Sequence, residues 1–522
     1  MSVSKIGDPM TNPNLIQLIN SAFVICILTL ACSSDVVTSQ EDGDAEFDLI
    51  EDDFSGEIES ELPDGDDDSG EINVIVDGDE KEYGVGEEEY DPNVHALPPL
   101  EVANVAGVSG RNVRILWVPT DAECEITIER ATDDASTFQV IARKQGKHGR
   151  FLDLALQPET WYRYKLTACN NDGCSPTFES IPVKTKISIA PKFNININKD
   201  TAEDNVIVFG ISTIAYDYTE DGRMVAIDRD GNIIWEYYTI SRGAVTEVQP
   251  MDNHTFGICT YTNYTHIDLD NRELYHFSDE MLHHDINPIS DDRIVALFFD
   301  QFQRMGFTVL GDGIVILDEA TSTIDWRWYS KDHISEDDRS TMDIATSPFG
   351  LGQDWTHSNS IHFDEQESKM YLNVRNLNRI YKIDYPSGDV DWVMGDGGDF
   401  GEGLWSHSHS PVYLPNNRVL MFDNGLYRPG TVLMYSRVIE IEYDPENKTA
   451  EIVWEYREQP DFYSYAYSSV EIMNNGNILV DEGIAGRVFE VTRDKEIVWE
   501  MKLSGESIYK VETVPIEFFT EW

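Results

Sequence analysis

The segment RIYKIDYPSGDVDWVM, residues 379–394, decides the fold. Apolar and polar side chains alternate up to Ile383 and Asp384, Pro386 and Gly388 mark a turn, and the alternation resumes into Trp392. That is the pattern of two strands joined by a short hairpin. Five variants surround it: MVAIDRDGNIIWEY ending at Tyr237, THIDLDNRELYHF at Phe277, GIVILDEATSTIDWRW at Trp328, VIEIEYDPENKTAEIVWEY at Tyr456 and RVFEVTRDKEIVWEM at Met501. Between them lies a second unit of apolar strand, turn and apolar strand, in TEVQPMDNHTFGICTY from Thr246, HDINPISDDRIVALFF from His284, HSNSIHFDEQESKMYLNV from His357, HSPVYLPNNRVLMFDNG from His409 and SSVEIMNNGNILVDEG from Ser468. Each period supplies four strands, and six periods over about 320 residues predict a six-bladed β-propeller at 191–522. Alternation of period two excludes a helical solenoid. The leftover strand YKVETVPIEFF from Tyr509 is expected to close the ring beside NVIVFGIS at 205–212.

Toward the N-terminus, residues 96–188 carry short strand-length runs, NVRILWV, CEITIERA, FQVIARK and WYRYKLTAC, with turn residues between them. This stretch resembles a fibronectin type III domain, with Trp117 as its core tryptophan, which implies a small β-sandwich acting as a spacer or docking unit. The fold class expected for the chain is therefore all-β, a sandwich followed by a propeller. Cys169 and Cys174 in LTACNNDGCSP are close enough to pair across a tight turn, and Cys124 and Cys259 are expected to stay single and buried.

Residues 33–95 are a different material. From Asp35 to Asp91 there are 25 Asp and Glu against Lys81 alone, a net −24 of the chain's −58. Such a run cannot bury enough apolar area to offset its ordering entropy, so it predicts a disordered, self-repelling tether. DGDDDSGE at 64–71 lacks the ligand spacing of a calcium loop and reads as solvated charge. Ahead of it, 1–32 ends an apolar core with Thr29-Leu30-Ala31-Cys32, which resembles a bacterial lipobox with Cys32 as the lipidated residue. An exported lipoprotein is expected, and Ser33 after the cysteine implies sorting to the outer membrane. Membrane contact is expected only through that anchor. A field of −58 repels phosphate backbones and anionic head groups, which argues against nucleic-acid binding.

Aligned on their turns, the second units place His284 and His409 at the position of Thr246 and Ser468, and the longer fourth copy puts His357 there too. Equivalent positions in a propeller lie on a ring about its axis, so three histidines far apart in sequence should converge at one mouth of the channel. Alternation places His407 on the same face as His409, and His283 opposite His284.

HHDINPI at 283–289, DWTHSNSIH at 354–362, NVRNLNRIYKID at 373–384, HSPVYLPNNRVLMFDNG at 409–425 and SRVIEIEYDPENKTAEIVWEY at 436–456 resemble the bacterial arylsulfotransferases that use no nucleotide donor. The resemblance runs from about Pro191 to the C-terminus and implies a periplasmic six-bladed propeller that moves a sulfuryl group between phenols through a sulfated histidine. Carried over, the nucleophile is His409, with His284, His357 and Arg375 as further catalytic groups and Asn359 as a substrate-binding one; His407, placed beside His409 by alternation in a Trp405-Ser406-His407 run unfamiliar in that family, is a further substrate-binding candidate. The residue types suit the chemistry: a neutral imidazole attacks sulfur, a second histidine handles the phenol's proton, and a planar guanidinium meets the sulfuryl oxygens. The resemblance implies an aryl sulfate donor and a phenolic acceptor, and leaves a homodimer open.

The chain departs from that family in places. Cys259 is its only propeller cysteine, so the family's disulfide near the site cannot form, and Ser408 stands where a Gln is usual. No Walker loop and no Rossmann glycine pattern is present, and Arg375 among the histidines argues against a bound metal, so no cofactor is expected. Arg379 is an alternative to Arg375. The FDNG at 422–425 reads as a structural turn. Two other outcomes are a surface lipoprotein whose propeller only binds a carbohydrate, phenolic or protein ligand, and a sulfatase in which water takes the sulfuryl group.

Overall fold

The computed structural model describes residues 97–120, 123–212, 221–240, 243–260, 262–290, 292–304, 306–335, 337–338 and 352–522. The expected signal segment with Cys32 and the acidic tether lie outside the described residues.

Nearly all regular structure is β. Residues 97–186 form two antiparallel sheets around one core. Strands Val102–Gly107, Val113–Trp117 and Arg150–Asp153 make the first, and Gln139–Gln145, Glu125–Thr132 and Trp161–Asn170 the second, which short strands extend. Along the last strand Tyr162, Tyr164, Leu166 and Ala168 point inward at every second residue and meet Trp117, whose indole donates to the Gly146 carbonyl. Cys169 and Cys174 are disulfide-bonded, and Cys124 and Cys259 are buried free thiols.

Six antiparallel sheets follow. Their innermost strands are Ser507–Val514, Val245–Met251, Leu282–Ser290, Ser358–Asp364, His409–Leu414 and Ser469–Ile472. These touch one another in a closed cycle, the last against the first, so the chain is a six-bladed propeller. The C-terminal strand supplies the inner strand of the first blade, pairing Val206 with Val514 and Ser212 with Ser507. At the outer edge Phe193–Asn198 adds a fifth strand to the sixth blade. Ring closure thus joins both ends of the propeller chain.

The repeated motif has a physical cause at each position. Its aspartate caps its own hairpin: Asp228 accepts from the amides of Asp230 and Asn232, Asp268 from Asp270 and Arg272, and Asp444 from Glu446 and Asn447. Its tryptophan clasps the hairpin of the following blade. Trp235 donates to the Leu269 carbonyl, Trp328 to Gly388, Trp454 to Arg493, and Trp499 to Arg229 of the first blade. The spacing read from the sequence is therefore the spacing of a turn cap and an interblade latch.

The sandwich is bolted to the first blade by a buried carboxylate. Glu236 accepts from the Gly110 amide at 2.6 Å, the Ser188 hydroxyl at 2.8 Å and the Ile189 amide at 3.3 Å, while Asn112 donates to the Ile234 carbonyl.

Candidate active site

Five of the six innermost strands carry a register shift near the mouth end of the channel, between Val245 and Glu247, His283 and Ile286, Ser358 and Ser360, His409 and Val412, and where Ile508 to Val511 pairs with the first blade. A bulge re-aims the side chains beside it. His284, His357 and Ser410 also take left-handed φ of 61°, 48° and 47°, a conformation non-glycine residues adopt only when their surroundings impose it. Regular alternation is broken there, and the histidines turn toward one another.

The rings of His284 and His357 lie 5.0 Å apart, and Tyr509 stands between histidines, 5.8 Å from His284 and 6.5 Å from His409. Arg375, buried at the turn after Lys369–Val374, is held by the Asn376 side-chain oxygen at 2.9 Å and the Tyr465 carbonyl at 3.1 Å. Its charge acts on His284, His407 and His409 alike. Arg379, the alternative, is consumed by an ion pair with Asp338 at 2.7 Å. In the axial cavity, Lys510 is ringed by Glu247, Asp285 and Glu512, so it offers no free positive charge.

His409 has a defined tautomer. The Asn424 side-chain amide donates to the carbonyls of Ser464 at 2.9 Å and Tyr467 at 3.1 Å, which fixes its Oδ1 toward His409 Nδ1 at 2.7 Å. An amide oxygen only accepts, so Nδ1 carries the hydrogen and Nε2 the lone pair. Burial, followed by the charge of Arg375, holds the His409 pKa well below the ordinary histidine value, so the ring is neutral. A neutral imidazole with a free Nε2 lone pair is a nucleophile.

His357 is oriented differently, with Nδ1 2.6 Å from Asp354 Oδ2. Burial acts to raise the pKa of that carboxyl, but His357, Arg375 and Asn376 together outweigh it and hold Asp354 below its usual range. The carboxylate fixes the orientation of the His357 ring and leaves its Nε2 on the side away from Asp354. His284 is kept neutral by burial first and then by the surrounding positive groups.

Two residues lie elsewhere than alternation indicates. His407 is not on the strand of His409, which starts at His409 itself; it sits in a bend at φ 58° with its amide donating to Asn378 Oδ1. Its ring packs 5.9 Å from Tyr427, and burial, Arg375 and His357 press its pKa down to about 3. His283 is not opposite His284: the left-handed turn brings the two Nδ1 atoms to 2.6 Å. Asn359 stands behind His409, donating to the Ser408 carbonyl and accepting from Asn373.

The residues that sequence reading missed are Asn424, Asp354, His283, Asp312 and Tyr509. Asp354 was open to notice, three residues before His357 in DWTHSNS. Asn424 and Tyr509 reach the site only through strand pairing and ring closure. Among the described residues no group of three or more His, Cys, Asp or Glu is placed to hold a metal ion.

At the propeller mouth, buried histidines converge around the buried Arg375 guanidinium, an arrangement suited to an anionic group. The family profile described as arylsulfotransferase matches residues 194–513, more than half of the chain, and the protein belongs to that family. Its general activity is of the aryl sulfotransferase kind. No curated protein matches the chain. Among solved structures it is similar to a protein of unknown function from Bacteroides caccae, at 11% identity and a TM-score of 0.39 over 60% of this chain and 99% of the other. A putative 6-phosphogluconolactonase from Bacteroides uniformis matches at 11% and 0.36, over 76% of this chain and 100% of that one.

Proposed function

We propose that the protein transfers a sulfuryl group from an aryl sulfate ester to a phenol through a covalent intermediate on His409. In the first half-reaction the Nε2 lone pair attacks sulfur, the nitrogen–sulfur bond forms, and the sulfur–oxygen bond breaks with its electron pair left on the phenolate. His284, protonated at Nε2 by the acceptor phenol of the preceding turnover or, in a first turnover, by solvent, gives that oxygen the proton and returns to the neutral form. Arg375 and the His357–Asp354 pair meet the charge on the three sulfuryl oxygens. In the second half-reaction a phenol oxygen attacks sulfur, its proton goes to His284, and the pair in the nitrogen–sulfur bond returns to His409.

The observation that carries this reading is the chain from the Ser464 and Tyr467 carbonyls through Asn424 to His409 Nδ1, which leaves Nε2 as the free lone pair. By the same proposal the enzyme is an exported lipoprotein anchored at Cys32, and the fibronectin type III-like sandwich is a docked spacer.

The test uses the purified full chain with a chromogenic aryl sulfate and intact-mass analysis. A sulfuryl-sized gain that disappears on adding a phenol and is absent in His409→Ala is the expected result. Turnover without any phenol would mean that water is the acceptor. No adduct and no turnover across a panel of aryl sulfates would favour a pure binding protein.

A further inference from the structure

Behind His284 lies a line of buried groups that transfer at His409 leaves unexplained. His283 Nδ1 is 2.6 Å from His284 Nδ1, and on its far side His283 Nε2 is 3.3 Å from Asp312 Oδ1. The His283 ring is stacked on Phe299 with centroids 3.8 Å apart. Asp312 is buried, and its other oxygen accepts from the Thr356 hydroxyl at 2.5 Å and the Ser358 amide at 2.6 Å, on either side of His357. One carboxylate therefore braces the loop of one site histidine and backs another.

The protons in this line are determined by what each group can do. The Asp312 carboxyl stands 3.3 Å from His283 Nε2, within ion-pair reach though without a hydrogen bond, and that favours hydrogen on the nitrogen facing it. With a single hydrogen on the His283 ring, held at Nε2, its Nδ1 bears the lone pair and His284 Nδ1 donates to it. That leaves the lone pair of His284 on Nε2, on the side of the ring away from His283. The groups acting on His284 are His283, His357, His409 and Arg375, with Tyr509 against its ring. Four of these are cationic when protonated, so a proton arriving at Nε2 needs a negative partner.

Resting on the sulfuryl-transfer reading, we infer that His283 and Asp312 are positioning residues that form a relay behind His284, making it the acid and base of both half-reactions. When the acceptor phenol loses its proton to His284 Nε2, the positive charge is shared with His283 through Nδ1 and balanced by Asp312. In the next turnover that Nε2 proton passes to the departing phenolate oxygen, and His284 returns to the neutral form. One proton moves on and off per cycle, and no other reactant is needed.

The experiment compares single-turnover sulfation of His409 in the wild-type full chain and in His283→Gln, with two donors of different leaving groups. Phenyl sulfate releases a strongly basic phenolate that needs protonation, whereas 4-nitrophenyl sulfate releases a weakly basic one. The variant should be slowed about 100-fold with phenyl sulfate and no more than about threefold with the nitrophenyl ester. Asp312→Asn should show the same selectivity, and it decides the matter should His283→Gln not fold. Equal losses with the two donors, or no loss with either, would overturn the relay. A wild-type enzyme that forms no His409 adduct would instead sink the sulfuryl-transfer reading itself, so the two failures are distinguishable.

Discussion

His409 and Asn424 lie 15 positions apart in sequence and 2.7 Å apart in space, from Nδ1 to Oδ1, and that contact decides which imidazole nitrogen keeps its lone pair. Asn424 can impose the tautomer because its own amide hydrogens are committed to Ser464 and Tyr467. Replacement by Ala leaves the ring free to rotate and to exchange tautomers. Asn424→Ala should lower kcat for sulfuryl transfer by about 100-fold with a small effect on KM, and Asn424→Asp, which keeps an acceptor for Nδ1 but sets a carboxylate oxygen against the Ser464 and Tyr467 carbonyls, should not restore it. Steady-state kinetics on both variants checks this.

His407 gives the fold a specific acid sensitivity. Its pKa in the fold is about 3, pushed down by burial and by Arg375 and His357, whereas an unfolded histidine titrates near pH ~6.5. Between those values the unfolded chain binds the extra proton, so stability falls as the pH is lowered. In His407→Gln that contribution vanishes. Urea titrations between about pH 6 and pH 4 should show the wild type losing stability faster than the variant, by about 1.4 kcal/mol per pH unit. Parallel slopes would mean that the buried ring accepts its proton without penalty.

Asp481 works with the opposite sign. It is fully buried, neither carboxyl oxygen has a hydrogen-bond partner, and burial, reinforced by Glu482, raises its pKa well above the usual range. The folded state keeps a proton that the unfolded chain loses above pH ~4, so stability falls as the pH rises. Asp481→Asn should raise the melting temperature, with a larger gain at about pH 8 than at about pH 5. A gain that shrinks toward high pH would contradict this account.

The contact between sandwich and propeller depends on Glu236. Glu236→Leu leaves the donors of Gly110, Ser188 and Ile189 buried without an acceptor. A loss of roughly 2–4 kcal/mol in unfolding free energy is expected. Glu236→Gln keeps one oxygen and should lose less. Chemical denaturation of the leucine variant should also separate an early sandwich transition from that of the propeller; a single unshifted transition would show that the carboxylate contributes little.

Much of the architecture was legible because its causes are local. The Asp of the Ile-Asp pairs at 227–228 and 267–268 caps the turn that follows it, and Trp235 and Trp499 latch the next blade, so two local contacts leave a visible period. The pairing of Tyr509 onward with the first blade follows from counting strands. The site was legible only in outline. His284, His357 and His409 share a register and do converge, yet the alternation that separates His283 from His284 fails at a left-handed residue inside a bulge. No pattern of apolar and polar letters encodes a backbone turn imposed by closure of a ring.

What the amino-acid order determined on its own is the period, the six blades and the residue types that meet at the mouth, since alternation, turn caps and strand length act over a few neighbours. Only the tertiary structure decided which nitrogen of His409 is free, that Arg375 rather than Arg379 faces the histidines, and that Asp312 stands behind two of them. Hydrogen bonds and buried charges depend on direction and distance at the scale of an ångström, and these positions exist only after strands hundreds of residues apart have closed the ring.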